Sequence, residues 1–248
     1  MKIKIQILIT LLISTILFQP SRLWADDDLT HTNKYPWETS VAAGFTLTKG
    51  NSDTLLLTAK AQTQRKMPGN EYSFDLDGTY GKTEGLTSAE SAHGFAQWNH
   101  MFTDRFYGYA RAEALRDAIA DVKYRVTIGP GVGYYFIKEK QTTLAGELGA
   151  SEVFQELGTN RTAYTTARIA ERFERKFASG ARIWQNVEFL PQVDRLENYL
   201  VNGEVGVEAS LAKNLSLQTY VDDNYNSRPA PGRKKNDVKL VSAIAYKF

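Results

Sequence analysis

A few side chains in this sequence combine a reactive type with a spacing that chemistry could use. Ser91 and His93 are two residues apart, and a serine–histidine couple is what lipases and deacylases of the outer membrane use as nucleophile and base. If this segment is a strand, both side chains lie on one face but about 7 Å apart, too far for a direct hydrogen bond without rearrangement. We therefore favour a polar histidine on the inner face of a sheet over a catalytic one.

Four aspartates form a second candidate site. Asp222 and Asp223, together with Asp117 and Asp121, are similar to the carboxylate clusters of outer-membrane proteases. Adjacent residues of a strand point to opposite faces, so Asp222 and Asp223 cannot act as a pair in one site. The sequence does not favour a protease.

Glycine, histidine and cysteine usage gives no cofactor site. Gly129, Gly131 and Gly133 alternate, which is not the spacing of a dinucleotide-binding loop, and we expect them to pack around outward-facing aromatic side chains. No metal-ligand spacing occurs, and the absence of cysteine excludes disulfides, thiolate metal sites and a lipoprotein anchor. We expect no catalytic residue, cofactor or metal, and hence no enzyme.

The elements that must position the polar side chains are strands, as the segment 237–248 shows most clearly. Its alternate residues form one largely apolar face: Val238, Leu240, Ser242, Ile244, Tyr246 and Phe248. The opposite face carries Lys239 and Lys247, and such alternation predicts a strand with one apolar and one polar face. A soluble sheet rarely ends on an exposed aromatic edge, whereas the last strand of an outer-membrane barrel pairs with the first.

Alternation and turn signals divide the rest of the chain in the same way. They predict strands at 37–49, 54–64, 72–80, 92–102, 106–115, 124–136, 142–154, 161–173, 180–193, 199–211, 215–225 and 237–248. The fold class is all-β: a transmembrane antiparallel up-and-down β-barrel over residues 37–248 with about 12 strands, ten or fourteen being the alternatives. We expect a bulge near Pro130. The longer, extracellular connections are expected at 50–53, 82–91, 116–123, 155–160, 194–198 and 226–236.

The polar faces of these strands carry charges of both signs. The predicted lumen-lining residues are Lys60, Asp75, Asp77, Arg111, Glu113, Arg125, Glu147, Arg168, Arg172, Glu204, Glu208 and Lys239, with Glu188 and Asp222 also inward. Charges inside a barrel must be solvated or paired. The interior is therefore either a narrow water-filled pore or a space closed by salt bridges.

The amino-terminal segment has the layout of a secretory signal peptide. A short basic start and an apolar run precede a polar stretch, which predicts a signal peptide at 1–25 and a periplasmic lead-in at 26–36. Removing 1–25 takes away Lys2, Lys4 and Arg22, so 27 basic residues remain against 28 acidic ones. The mature chain is nearly neutral, so we expect no nucleic-acid partner. The mean hydropathy of −0.38 excludes a helical membrane protein but not a membrane barrel.

The aromatic ends of the first and last strands suggest how the barrel meets its surroundings. Trp37, Tyr246 and Phe248 are expected in the periplasmic aromatic girdle, with the last two serving as an assembly signal for the barrel-assembly machinery. The partner of the last strand is predicted to be the first. A basic loop containing Arg228, Arg233, Lys234 and Lys235 is expected to contact lipopolysaccharide phosphates or to be solvated.

The first predicted hairpin carries a family resemblance. The residues Trp37-Glu38, Gly44, Phe45 and the run 48–54, Thr-Lys-Gly-Asn-Ser-Asp-Thr, resemble the opening of the YdiY-like salt-induced outer membrane protein family, a domain of unknown function. The resemblance implies a barrel in the outer membrane of a Gram-negative bacterium. It implies no activity and no catalytic residues.

These observations favour a non-enzymatic outer-membrane β-barrel, either a narrow channel for small polar solutes or a structural envelope protein. Two alternatives stay open at this point. One is an outer-membrane hydrolase acting on lipid or peptide, and the other is a soluble periplasmic β-barrel binder.

Overall fold

The computed structural model describes residues 35–48 and 54–248, with no side-chain detail for 46–48. The signal peptide, most of the lead-in and the first predicted outer connection therefore lie outside the described residues. The strands are β1 (Glu38–Thr48), β2 (Thr54–Met67), β3 (Asn70–Thr83), β4 (Leu86–Met101), β5 (Phe106–Asp117), β6 (Val122–Lys138), β7 (Thr142–Leu157), β8 (Asn160–Lys176), β9 (Arg182–Gln192), β10 (Arg195–Ser210), β11 (Leu215–Asn226) and β12 (Asn236–Lys247).

The strands form a closed ring in chain order, and every neighbouring pair is antiparallel. The ring closes where β12 pairs with β1, in a register that runs from Ser40↔Lys247 to Ala43↔Ile244. The predicted up-and-down barrel, its strand number and the pairing of the last strand with the first are thus confirmed. Below, the lower end of the barrel is the one where β1 begins and β12 ends, and the upper end is the opposite one.

The outer surface is apolar, as the alternation predicts. Leu76 on β3 and Leu240 on β12 expose 65% and 66% of their surface, although both lie in regular strands. Further exposed apolar side chains occur around the ring, among them Phe45, Ile128, Leu148, Ile169, Val205 and Leu217. A soluble protein rarely exposes so extended an apolar surface, but the hydrocarbon of a bilayer requires it. Among the described residues, no helix is long and apolar enough to cross a membrane.

Aromatic side chains are concentrated on the outer surface at the lower end. The Trp37 ring lies 5.9 Å from that of Phe74, and the Tyr246 and Phe248 rings meet edge to face at 5.0 Å. Pairs between Phe102 and Phe106 and between Tyr134 and Phe136 continue this band. Trp37, Tyr246 and Phe248 are all exposed, which places them where a girdle would contact lipid head groups. Their use as an assembly signal stays a prediction.

The upper connections are shorter than the sequence suggests, and this expectation was wrong for most of them. The expected loop at 82–91 is strand except for Glu84 and Gly85, whose φ angles of 50° and 78° form a two-residue turn. The connections 158–159 and 193–194 also contain two residues each, and the connection 118–121 contains four. Backbone pairing continues beyond the point where the side-chain alternation ends, since it does not depend on side-chain polarity. Among the described upper connections, the one at 227–235 is long.

The expected bulge at Pro130 is also absent from the described ladders. Pro130 lies opposite Ala110 in the β5–β6 register, and the β6–β7 register is the same at Ile128 and at Gly131. Proline removes one ladder hydrogen bond there without shifting the strands. The register of β6 against β7 shifts instead between Val122 and Tyr124 and between Tyr135 and Ile137.

The alternate glycines of β6 face the lumen, not the outer surface. The ring of Tyr109 lies over Gly131 and Gly149, and the ring of Tyr107 lies over Gly133. Gly131 and Gly133 therefore accommodate inward tyrosines and not outward aromatic side chains, whereas Gly129 lies against the Ala150 carbonyl and Ser151, so the expectation was wrong for all three. A Cβ atom at Gly131 or Gly133 would overlap with the tyrosine rings.

Substitution Gly131→Ala tests this packing. Because the new methyl group would overlap with both the Tyr109 ring and the carbonyl of Leu148, we expect a loss of about 1–3 kcal/mol in unfolding free energy. The control is Gly78→Ala, since a Cβ there would meet its nearest atom, the Ser91 carbonyl oxygen, at 3.6 Å. Urea unfolding of the refolded barrel measures both, and equal stability of the two variants would contradict the packing.

Candidate functional site: the lumen

A cavity of about 700 Å³ occupies part of the lumen and extends along most of its length. At the lower end it is lined by Glu38, Lys247 and Phe248, and near the upper end by Asn224 and Lys239. Ten of the twelve predicted lumen residues line it, namely Lys60, Asp75, Asp77, Arg111, Glu113, Arg125, Arg168, Arg172, Glu204 and Lys239. The other two, Glu147 and Glu208, also point inward but are buried beneath basic side chains.

A buried charge network centred on Glu147 of β7 fills the other part of the lumen. The Glu147 carboxylate, 2% exposed, pairs with Arg172 and accepts a hydrogen bond of 2.7 Å from Nη1 of Arg168. It also accepts hydrogen bonds from the Tyr107 hydroxyl at 2.8 Å and from the Gln97 amide at 2.9 Å. Oε1 accepts three of these bonds and Oε2 one, and the two guanidinium groups compensate the buried charge.

Two contacts carry this network across the interior. Nη2 of Arg172 on β8 donates to Oε1 of Gln97 on β4 at 2.7 Å. The Tyr135 hydroxyl on β6 donates to Oε2 of Glu71 on β3 at 2.7 Å. These strands are not neighbours in the ring. The side chains therefore reach across the lumen, past the strands between them, and close that part of it.

A second crossing lies at middle height on the side of the cavity. Nζ of Lys60 on β2 donates to Glu204 on β10 at 2.8 Å and lies 3.7 Å from Asp75. The ammonium also lies 5.0 Å from the ring centre of Tyr220, and Nε1 of Trp184 donates to Glu204 at 2.6 Å. The Lys60–Glu204 pair passes in front of β1, β12 and β11 and narrows the cavity without filling it.

The structure does not bring Ser91 and His93 together. The ring nitrogens of His93 hydrogen-bond Asp77 at 2.8 Å and Glu113 at 3.1 Å, one on each neighbouring strand. The Ser91 hydroxyl instead accepts a hydrogen bond of 3.0 Å from Nζ of Lys239 across the lumen. Each member of the expected couple thus has separate partners.

The four aspartates are likewise dispersed. Asp222 faces the cavity, whereas the side chain of Asp117 accepts hydrogen bonds from the backbone amides of Ile119 and Ala120 and stabilises the β5–β6 turn. Asp121 lies in that turn with a φ of 55°. Asp117 also lies 3.9 Å from Nζ of Lys239, which is opposite Asp222 in the β11–β12 register, so a lysine separates these two carboxylates.

One group of side chains has the donor types of a cation site. One ligand atom each from Asp75, Asp77 and His93 lies within 4.8 Å of the others. These atoms already have protein partners, however: Gln62 donates to Asp75 at 2.6 Å, and His93 bonds Asp77. The cluster is therefore explained by internal hydrogen bonding.

A third set of charges surrounds the lower opening. Arg182 on β9 donates to Glu208 at 2.9 Å and to Glu174 at 3.0 Å. Lys247 at the end of β12 also pairs with Glu208, and Lys176 lies 3.3 Å from Glu174. The lower rim thus carries paired charges of both signs.

The upper end is covered by the connection 227–235, called the roof loop below. Its Ala230, 2% exposed, packs against Val122 at the start of β6 and Leu157 at the end of β7. These strands are separated from β11 and β12 by β8, β9 and β10 on one side of the ring and by β1 to β5 on the other. The roof loop therefore crosses the mouth of the barrel.

Two hydrogen-bonded contacts hold the base of the roof loop. The backbone amide of Ser227 donates to the carbonyl of Tyr199, and the Tyr199 amide donates to the Ser227 hydroxyl at 2.8 Å. Arg228, one of the four basic residues of the predicted loop, pairs with Glu197 at 2.9 Å. The remaining three, Arg233, Lys234 and Lys235, are exposed at the upper surface.

The sequence predicted a long connection at 226–236 but not its path across the mouth, and the predicted lumen-lining residues included no aromatic side chain. Tyr107, Tyr109, Trp184 and Tyr220 alternate with outward residues and so share their strand faces with charges. A glycine at the facing position of the next strand, such as Gly206 beside Trp184, is the signal that could have found them.

Substitution Glu147→Gln tests the buried network. It removes the charge that compensates Arg168 and Arg172, so we expect a loss of about 3–5 kcal/mol in unfolding free energy. The control Glu90→Gln breaks an exposed pair with Arg116 at 3.7 Å and should cost less than about 0.5 kcal/mol. Denaturant titration of both refolded variants measures the difference, and similar losses would show that Glu147 is not the centre of the network.

The chain is similar in fold to solved membrane barrels. The NanC porin aligns with a TM-score of 0.49 and 5% identity over 85% of this chain and 98% of that one. The translocator domain of the autotransporter NalP from Neisseria meningitidis gives 0.48 and 11% over 86% and 88%, and the KdgM porin, solved with disordered oligogalacturonate, gives 0.44 and 11% over 84% and 99%. At these values no role of any residue is carried over. A comparison with curated protein sequences gave no match.

The sequence itself matches one family over nearly the whole barrel. The match covers residues 41–248, which leaves out three residues of β1 and includes all of β2 to β12. The resemblance of the first hairpin to the YdiY-like proteins, whose domain has no assigned function, is consistent with this match. The chain belongs to the family described as "Protein of unknown function, DUF481".

Proposed function

We propose that this protein is a non-enzymatic outer-membrane β-barrel of a Gram-negative bacterium that forms a narrow channel for small polar solutes. The observation that carries the proposal is the charged cavity of about 700 Å³, which extends from Phe248 at the lower end to Asn224 near the upper end. A cavity of this size accommodates a small polar molecule with its hydration water. The salt-bridge crossings make the passage narrow.

The proposed orientation places the lower end in the periplasm and the roof loop outside. The length of the roof loop suits the extracellular side of a barrel, and the exposed Arg233, Lys234 and Lys235 suit contact with lipopolysaccharide phosphates. The other proposed partners are outer-membrane lipid and, through β12, the barrel-assembly machinery; no nucleic acid is involved.

The location is tested by fractionation: the protein should be in the outer-membrane fraction and migrate differently on gels before and after boiling. Recovery in the soluble periplasmic fraction would favour a soluble binder.

The proposal that the protein is not an enzyme rests on the hydrogen bonds that Ser91 and His93 form with other side chains. A nucleophile needs a base within hydrogen-bond reach, and Ser91 and His93 are bonded to other groups. If a hydrolase activity is nevertheless detected in the purified protein and is lost in Ser91→Ala, the proposal is wrong on this point.

Replacing the roof loop tests the channel. With residues 227–234 of the roof loop exchanged for an Asn-Gly turn, Asn226 stays opposite Lys235 as in the native register, and the upper mouth is uncovered. We expect the single-channel conductance in planar bilayers to rise several-fold over that of the wild type. The matched control is Arg228→Gln, which breaks the exposed Glu197 pair but leaves the roof in place and should conduct like the wild type.

Ion selectivity provides a second test of the same pathway. Among the described residues, the cavity wall carries nine Asp and Glu side chains and nine Lys and Arg side chains. Because the charges balance, we expect potassium and chloride to permeate with a ratio within about twofold of one. A reversal potential that shows strong selectivity for either ion would contradict passage along this wall.

The structural alternative is favoured by the extent of the Glu147 network, since a barrel that serves only as an envelope component needs a filled interior. It predicts no current from either the wild type or the roof-loop variant. In that case the protein would stabilise the outer membrane without transport.

A further inference from the structure

One basic side chain of the cavity wall differs from all the others in its pairing. Nine Lys and Arg side chains line the cavity, and eight of them form a salt bridge with a carboxylate. Among the described residues, Arg125 on β6 has no carboxylate within salt-bridge distance. A guanidinium without a counter-charge in a protein interior is costly, so its retention requires a reason.

The hydrogen bonds of Arg125 fix the side chain but leave part of it unused. Its Nε donates to Oε1 of Gln155 on β7 at 2.8 Å, and Gln155 is in turn buried and bonded to the Thr162 hydroxyl at 3.3 Å. The Nη2 atom is buried and has no hydrogen-bond partner within the described part of the chain. The guanidinium is thus held by one edge while it lines the cavity.

The carboxylate on the neighbouring strand forms no salt bridge with Arg125. Glu113 on β5 is bonded by Arg111 at 2.6 Å and by His93 at 3.1 Å. Its charge is therefore shared between two other groups, and because it lies outside salt-bridge distance of Arg125 it compensates that guanidinium only in part. The local charge at Arg125 is positive although the wall as a whole is balanced.

Arg125 also lies close to the covered mouth. Gln155, its hydrogen-bond partner, lines a smaller cavity of about 280 Å³ whose other walls include Pro229 and Pro231 of the roof loop. A solute that passes under the roof loop therefore reaches Gln155 and Arg125 before the Lys60–Glu204 crossing lower down.

We propose that Arg125 is an anion-binding site that receives the carboxylate, phosphate or sulfate group of a solute entering beneath the roof loop. A guanidinium binds such oxyanions through paired N–H groups, whereas a lysine offers only a point charge. The site rests on the proposed channel, because it assigns that channel a class of solute. Chloride, which cannot accept two parallel N–H bonds in this way, is bound weakly there.

Anion binding is measured on the folded, full-length protein in detergent, without reference to transport. Sulfate, compared with chloride at the same ionic strength, should raise the unfolding temperature of the wild type by about 2–4 °C, because a ligand of the native state stabilises it. Arg125→Gln should lose the part of this shift that comes from binding and keep only the general stabilisation that sulfate gives to folded proteins. The control Lys123→Gln removes a charge two residues away that is already paired with Glu156 at 2.6 Å, and it should keep the shift.

A third variant guards against misfolding. If Arg125→Gln does not fold, Arg125→Lys retains the charge but loses the planar fork, and its sulfate shift should fall to less than half.

The same variants in planar bilayers should require at least tenfold more sulfate for half-maximal reduction of the chloride current. An equal shift in the wild type and the Arg125 variants, or no shift in the wild type, would overturn the site. Absence of current with an intact shift would refute the channel and leave the anion site standing.

Discussion

Every feature of this protein depends on the closure of the sheet between β1 and β12. A bilayer offers no water to satisfy a strand edge, so each strand needs a partner on both sides. The pairing of Ser40 to Ala43 with Ile244 to Lys247 completes the ring. Closure then fixes the two faces: residues such as Leu76 and Leu240 must point to lipid, and their polar neighbours must point inward.

The pairing of charged side chains inside the barrel determines the shape of the lumen. A carboxylate such as Glu147 is tolerated because Arg168 and Arg172 compensate it from the next strand, and this network occupies part of the lumen. On the other side, Lys60 and Glu204 meet across the ring and leave space around them. The same rule, that each buried charge needs a partner, therefore produces both a filled half and an open cavity.

The alternation of side chains was sufficient to predict the strands, the closing pair and the inward position of residues such as Asp77 and Arg111. It did not predict which inward residues meet, because Lys60 and Glu204 lie on strands that are neither adjacent nor close in sequence. It also overestimated the upper loops, since pairing around Glu84 continues where alternation ends. The fold of the roof loop depends on the packing of Ala230 against Val122 and Leu157, and no local sequence pattern predicts this contact.

The central claim is that solutes pass through the cavity beneath the roof loop. The chain contains no cysteine, so a disulfide between Ala230→Cys and Leu157→Cys can be introduced and controlled without interference. The most direct measurement is the single-channel current of this double variant in planar bilayers before and after a reductant. The account predicts a low current in the oxidised protein and a higher one after reduction. Equal currents in both states, or none in either, would contradict it.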